Sequence, residues 1–315
     1  MKKTLLIVGC GDIALRVAPL LRTHYRMLGL YRNLDSAAYL RLHGIIPIYG
    51  NLDLPRSLEK LAGIAQLVLH LAPPPNQGLY DRRTTHLLSA LTRRTERQAG
   101  ILPQRFIYIS TSGVYGDCQG ALIDETYPVH PENGRAIRRI DAERQIRNWG
   151  KRNHIPVSIL RVPGIYAANR LPLKRLREGN PALLDNEDVY TNHIHADDLA
   201  RIIRAALQHA RPNRIYHTCD DSHLKMGEYF DLVADHFGLP RPPRITRDQA
   251  EEQITPTMLS FMKESRRLNN LRMKKELHVN LLYPTIYDGI KAVHTKNEEL
   301  MKSKIEHNTA KISTK

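Results

Sequence analysis

Cysteine is scarce in this chain. Cys10, Cys118 and Cys219 are scattered over 315 residues, too few and too far apart for a disulfide framework or a zinc site. Long apolar runs are missing as well, and none approaches the roughly 18 to 20 residues that a membrane span needs. Met1-Lys2-Lys3 before Thr4-Leu5-Leu6-Ile7-Val8 is basic then apolar, like a signal peptide. Its apolar stretch is short, however, and runs straight into Gly9 with no small-residue cleavage site. Acidic residues are few, 32 against 47 Lys plus Arg, for a formal charge of +15, and aromatics make up only 6%. The basic residues fall in dispersed doublets (Arg82-Arg83, Arg93-Arg94, Arg138-Arg139, Lys151-Arg152, Arg266-Arg267, Lys274-Lys275). They form no stripe interleaved with aromatics, so a solvated basic surface is preferred over nucleic-acid binding. What is present is an ordinary apolar fraction of 42%, enough for a sizeable core and against disorder. The expectation is a reduced, cytoplasmic, globular protein.

Short apolar runs alternate with amphipathic stretches. The pattern predicts strands at 5–8, 26–31, 45–49, 67–71, 106–109 and 157–160, and helices at 13–24, 35–43, 79–98 and 136–149. Continuous apolar strands between helices imply a parallel sheet covered on both faces, and right-handed crossovers make a Rossmann-type doubly wound α/β fold the economical topology. Beyond Tyr166 the rhythm loosens. Helices are predicted at 197–208 and 226–237, a short strand at 214–218, and a polar helical stretch over 249–277. The division expected is a single domain over 1–292, with a small substrate lobe from about 167–190 and 220–292. Residues 293–315 are read as a disordered tail.

Gly9-Cys10-Gly11-Asp12-Ile13-Ala14 follows the first strand and opens the first helix, as G-x-G-x-x-A. Gly9 makes the tight turn, Gly11 lets a pyrophosphate approach the backbone, and Ala14 keeps the helix close to the sheet. The helix N-terminus then offers N–H groups and a positive dipole end to phosphates. At the end of the second strand, where an acid would hold the ribose hydroxyls of NAD, the chain has Arg32. An arginine suits a 2′-phosphate and favours NADP over NAD; the competing reading is an ordinary surface arginine.

The fifth strand ends in Ile109-Ser110-Thr111-Ser112-Gly113-Val114-Tyr115-Gly116, hydroxyls where such folds bind substrate. Further on come Asp124-Glu125 before Pro128, Leu160-Arg161-Val162-Pro163-Gly164-Ile165-Tyr166, His195-Ala196-Asp197-Asp198-Leu199-Ala200, and Tyr283-Pro284 with Gly289-Ile290. Taken in order, over about residues 4 to 292, these segments resemble the extended short-chain dehydrogenase/reductases, the NAD-dependent epimerase/dehydratase family. The closing segment is similar to that of the family's atypical members.

The resemblance implies a Ser/Thr, which falls on Thr111, and a Tyr and Lys spaced Y-x-x-x-K. Those last two positions hold Arg135 and Arg139. Arginine cannot give up a proton at any useful pH, so Arg135 is no acid/base, whereas Arg139 can hold a ribose or phosphate through its donor fork. The pair Tyr287 and Lys291 has the right spacing in the wrong part of the chain. An adenine-binding Asp expected after strand three is Asn51, which can still hydrogen-bond adenine. Cofactor binding is therefore assigned to Gly9, Gly11, Asp12, Ile13, Ala14, Arg32, Asn51, Leu71, Ala72, Arg139 and Pro163. Catalysis is assigned to Thr111 and Tyr115, with His193 and His195 as further acid/base candidates. His193-x-His195 alone is too little for a metal. The implied function is an NAD(P)-binding oxidoreductase or epimerase/dehydratase-like protein acting on a small substrate of unknown identity, with an anionic one among the candidates. The alternative is a non-catalytic dinucleotide sensor.

Overall fold

Leu5, Leu6, Ile7 and Val8 are all buried, as a strand with helices on both faces requires. Leu5 and Ile7 join one apolar layer with Ala14, Val17 and Leu21, while Leu6 and Val8 join the other with Leu87, Leu91 and Ile146. The alternation is the period of two that sends successive strand side chains to opposite faces. In this computed structural model, residues 1–33, 35–93 and 101–293 are described.

Seven parallel strands form the central sheet: β1 (Lys3–Val8), β2 (Tyr25–Tyr31), β3 (Ile46–Tyr49), β4 (Leu67–His70), β5 (Arg105–Thr111), β6 (Val157–Val162) and β7 (Arg214–His217). They run in the order β7-β6-β5-β4-β1-β2-β3. Leu6 sits opposite Leu28 and Val68, and Tyr108 opposite Ile159. The order reverses direction between β1 and β4, so a crevice opens there at the carboxyl ends of the strands, the place where open α/β sheets bind ligands. This is the Rossmann-type fold, and the run at 214–218 is its seventh strand.

Helices α1 (Asp12–Leu21), α2 (Ser36–Leu42), α3 (Arg82–Thr92) and α4 (Gly134–Asn153) follow β1, β2, β4 and β5, and a 3-10 segment, Pro55–Leu61, joins β3 to β4. The expected helix over 79–98 begins only at Arg82, where the Asp81 side chain accepts from Thr84 N; residues 94–98 lie outside the described residues. Helix α4 exceeds its expected 136–149. The Asn133 carbonyl oxygen caps its start by accepting from Ala136 N at 2.9 Å, and His154 ends it in the left-handed region at φ 55°.

After β6 the chain forms α5 (Leu173–Arg177), α6 (Ala196–His209), α7 (Met226–His236), α8 (Arg247–Gln253), α9 (Pro256–Phe261) and α10 (Leu271–Leu277). The expected continuous helical stretch over 249–277 is thus three short helices and a strand pair, Arg267–Leu268 with Leu122–Ile123. Thr246 and Thr255 each cap a new helix start, and Pro256 fills a first-turn position; these breaks, not hydrophobic period, set the boundaries. A separate apolar cluster, including Tyr166, Leu176, Leu183, Phe230, Val233, Met262 and Ile290, gives this part its own core. Residues 294–315 of the expected tail lie outside the described residues. No helix among the described residues is long and apolar enough to cross a membrane.

Beneath the sheet's carboxyl edge, Arg161 on β6 meets Glu143 on α4 at 2.7 Å, both about 4% exposed, and Ser110 on β5 donates to Glu143 Oε1 at 2.5 Å. Removing one member of such a pair strands the other charge in a dry site. Glu143→Ala is expected to lower stability by roughly 3–5 kcal/mol, read as a shift in the urea midpoint. The Arg161→Met, Glu143→Leu double variant should recover most of that loss.

Candidate functional site

Gly9 ends β1 at φ 97°, and a Cβ there would come within 2.5 Å of Ala72 N. Only glycine fits between the strand ends. A Cβ at Gly11 would meet nothing within 4 Å, and no side chain caps the start of α1. The turn is therefore an open cradle with backbone N–H groups at a helix N-terminus, which suits a pyrophosphate. Ala14 is fully buried against the sheet, and the side chain of Ile13 packs on the same layer. Asp12 is held in ion pairs with Arg16 and Arg170, both at 3.0 Å. Arg16 in turn reaches Asp197 at 2.6 Å.

Two cavities open on the strand ends. The outer one, about 270 Å³, lies over β1, β2 and β3, and Gly9, Arg32, Ser36, Asn51, Ala72 and Arg83 are among its walls. Arg32 lines it just beyond the end of β2, within electrostatic reach of Asp53. Asn51 Oδ1 accepts from Asp53 N at 2.9 Å. Leu71 stays out of the cavity and donates its N–H to Val8 O at 2.7 Å, so it shapes the turn. Arg83, placed on a solvated helix face by its sequence, instead faces this cavity and holds both oxygens of Asp53 at 2.7 Å. That guanidinium keeps the Asp53 carboxyl below its usual range.

The inner cavity, about 490 Å³, lies over β5 and β6 and extends toward the second core. Thr111, Arg139 and Pro163 reach it, as do Arg135, Arg170, His193, Glu264 and Arg266. The Thr111 hydroxyl accepts from Gly113 N at 3.2 Å, which holds the side chain at the end of β5. Arg139 donates through Nη1 to Ile109 O at 2.7 Å and to the Tyr108 hydroxyl at 3.0 Å. Arg266 is another arginine that the doublet pattern assigned to the surface. It is 9% exposed, paired with Glu264 at 2.9 Å, and its Nε is buried with no partner among the described residues.

Tyr115 does not join this group. The turn over Ser112–Tyr115 carries it under the sheet edge, where it is fully buried. Its hydroxyl donates to His217 Nε2 at 2.6 Å, Arg161 covers its ring at 4.7 Å, and burial pushes its pKa up to about 12. His217 is saturated, because its Nδ1 donates to Asn269 O at 3.0 Å. The Tyr115 hydroxyl, expected to serve as an acid/base, is thus packed away from the inner cavity. His195 Nδ1 accepts from Asp197 N at 3.2 Å and caps α6, while His193 lines the inner cavity against the Tyr229 ring at 4.3 Å. No group of three or more His, Cys, Asp or Glu among the described residues is placed to hold a metal.

Sequence reasoning missed Arg83, Arg170, Glu264 and Arg266. Their only signal was membership of doublets or of aperiodic segments, since the residues that turn them inward lie far along the chain.

The family model for the NAD dependent epimerase/dehydratase family matches residues 14–219. Protein YeeZ of Escherichia coli (strain K12) is 29% identical over 143 residues, 44% of this chain and 48% of that protein. The dTDP-D-glucose 4,6-dehydratase of Homo sapiens is 26% identical over 121 residues, 36% of this chain and 35% of that protein. The match thus spans less than half the length of either relative. Among solved structures, a functionally unknown conserved protein from Silicibacter pomeroyi DSS superposes with a TM-score of 0.78 at 28% identity, covering 94% of this chain and 99% of that one. UDP-glucuronic acid 4-epimerase from Bacillus cereus, in complex with UDP-glucuronic acid and NAD, reaches 0.72 at 19% identity, covering 94% and 99%; at that identity the likeness is one of fold.

Burial lowers the pKa of His70, His193 and His217 from 6.5 to about 3, so all three are neutral at pH 7. A depressed folded-state value means that protons bind the unfolded chain first. Their contribution to stability is complete above about pH 6.5 and is lost as pH falls toward 3. The urea midpoint is expected to drop between pH 7 and pH 4, and His193→Leu should make that drop shallower.

Proposed function

The chain belongs to the NAD dependent epimerase/dehydratase family, and we propose that it binds NADP(H) in preference to NAD(H) and uses it to act on a small molecule in the inner cavity. One observation carries the reading. Two cavities flank the Gly9–Ala14 turn where the strand order reverses, one over β1 to β3 and one over β5 and β6. An extended dinucleotide needs such a pair of compartments with a phosphate cradle at the turn.

The residues fit that group. The open N–H groups at Gly11 and the start of α1 would take the pyrophosphate. Asn51 and Ala72 border the adenosine compartment. Arg32, with Ser36 and Arg83 in the same cavity wall, suits a 2′-phosphate, because guanidinium forks match phosphate geometry. Arg139, fixed on Ile109 O, stands where a nicotinamide ribose would be held, beside Pro163. When bound, the nicotinamide supplies a reversible hydride acceptor. The chain's own part is to orient a substrate oxygen at the Thr111 hydroxyl and to keep water out behind Tyr229 and Met258. Neither Arg135 nor Arg139 can transfer a proton, so this site does not handle protons as a Tyr/Lys pair does. The three cysteines are free thiols, which fits work in a reducing cytoplasm.

A second reading, a dinucleotide sensor without turnover, is favoured by those same two arginines and by the burial of Tyr115. The readings separate cleanly: both require dinucleotide binding, and only the first requires substrate-dependent hydride transfer.

Fluorescence titration is expected to show NADPH binding, tighter than NADH. Arg32→Glu should shift the NADPH/NADH affinity ratio toward NADH by about tenfold or more, the loss of one charge-assisted phosphate contact. An unchanged ratio would refute the role of Arg32, and absence of binding by both dinucleotides at millimolar concentration would refute the reading as a whole.

A further inference from the structure

We propose that the inner cavity selects a compact substrate carrying one oxyanion, a carboxylate or a phosphate, held at Arg135 with Arg139 one helical turn away, and an apolar body seated on Phe261 and Met258. The proposal rests on the reading above that this cavity is the substrate site, and it names the chemistry of what enters.

The charge balance of the walls is the first argument. Four guanidiniums, Arg135, Arg139, Arg170 and Arg266, face a single wall carboxylate, Glu264. That carboxylate is already committed: Oε1 accepts from Asn133 Nδ2 at 2.9 Å, and Oε2 pairs with Arg266 Nη1 at 2.9 Å. Arg170 is paired with Asp12. The uncompensated charge in the cavity therefore sits chiefly on Arg135, which has no carboxylate partner among the described residues, while Arg139 forms no ion pair but lies within electrostatic reach of the buried Asp81. Low-dielectric walls focus such a field onto entering anions.

Geometry is the second argument. Residues four apart on a helix share a face, and like charges at that spacing repel. Both arginines line the same cavity from α4, and with Arg139 turned to the ribose, an anion at Arg135 would relieve the repulsion. Arg139 is held still by its bonds to Ile109 O and the Tyr108 hydroxyl. The Arg135 guanidinium carbon lies over the Phe261 ring, 4.4 Å from its centroid. Its N–H groups are hydrogen-bonded to no group among the described residues and are left for a bidentate acceptor. Met258, Phe261, Tyr229 and Phe230 are apolar members of the same wall, so the cavity offers apolar surface next to the charge. An amphipathic acid fits that combination.

Three probes of one shape test this in the NADPH-loaded protein: phenylacetate, phenyl phosphate and the neutral phenylacetamide. At least one of the two anions is expected to bind about tenfold or more tightly than the amide, and the better anion names the head group. Arg135→Gln should weaken that anion by about tenfold or more, as expected for a hydrogen bond to a charged group. The same variant should leave NADPH affinity and amide binding in place, and Arg135→Lys should restore only part of the loss. Equal binding of amide and anions, no effect of Arg135→Gln, or no binding of either anion at millimolar concentration would overturn the proposal. Repeating the anion titrations without dinucleotide keeps the two claims apart. Anion binding with no NADPH binding would sink the dinucleotide reading alone, and NADPH binding without anion discrimination would sink this one alone.

Discussion

The buried pair between Arg161 and Glu143 decides where α4 lies. Glu143 takes Arg161 from β6 and the Ser110 hydroxyl from β5, so one carboxylate locks the helix to two adjacent strands at their carboxyl ends. Two desolvated charges gain little net stability from each other, but their geometry is demanding, and that is what a site needs. Arg135 and Arg139 are carried on the same helix, two and one turns before Glu143. Their approach to the inner cavity follows from this anchor. Arg161 also lies over the Tyr115 ring, so the same charge that fixes the helix helps to keep that tyrosine packed away from the cavity.

A second set of charges joins the phosphate cradle to the rest of the molecule. Asp12 in the first turn of α1 pairs with Arg16 and Arg170, and Arg16 also pairs with Asp197 at the start of α6. Single exposed pairs of this kind contribute little. A chain of them gives Arg170, which lines the inner cavity, a carboxylate partner in the first turn of α1. The inner cavity is thereby tied to the Gly9–Ala14 turn through side chains as well as through the sheet. Tyr166 ties the inner cavity to the second core, since its hydroxyl donates to Thr285 O and a side chain at Gly289 would collide with it.

The sheet was legible from sequence because a strand buried on both faces must be apolar without interruption, and each such run sat between amphipathic helices. The Gly9–Ala14 turn was legible for a similar reason: its spacing is dictated by backbone geometry within six residues. What escaped depends on partners far along the chain. Arg83 turns inward because Asp53, thirty positions earlier, holds its fork. Arg266 turns inward toward Gly116 O and Glu264. Tyr115 looked available because it follows Thr111 closely, yet one short turn and the distant His217 decide its direction. Helix boundaries over 249–277 also escaped, because caps at Thr246 and Thr255 outweighed a polar, helix-compatible composition.

The positive charge of the whole chain finds part of its explanation here. Its arginine doublets carried no periodic sign of function, yet Arg83, Arg139 and Arg266 each have one guanidinium facing a cavity at the carboxyl edge of the sheet. Replacing a phenol and an ammonium with two guanidiniums at the α4 positions removes a transferable proton, because arginine stays protonated at any useful pH. It also adds a fixed field directed at whatever enters. Such a site would trade proton transfer for grip on anions. The proposed chemistry would draw its proton from the substrate, from a hydroxyl such as that of Thr111 or from water, while the arginines hold charge in place. The same field that raises affinity for an anionic ground state also stabilises negative charge developing on a substrate oxygen, so holding the ligand and easing its reaction are not separate tasks for this pair.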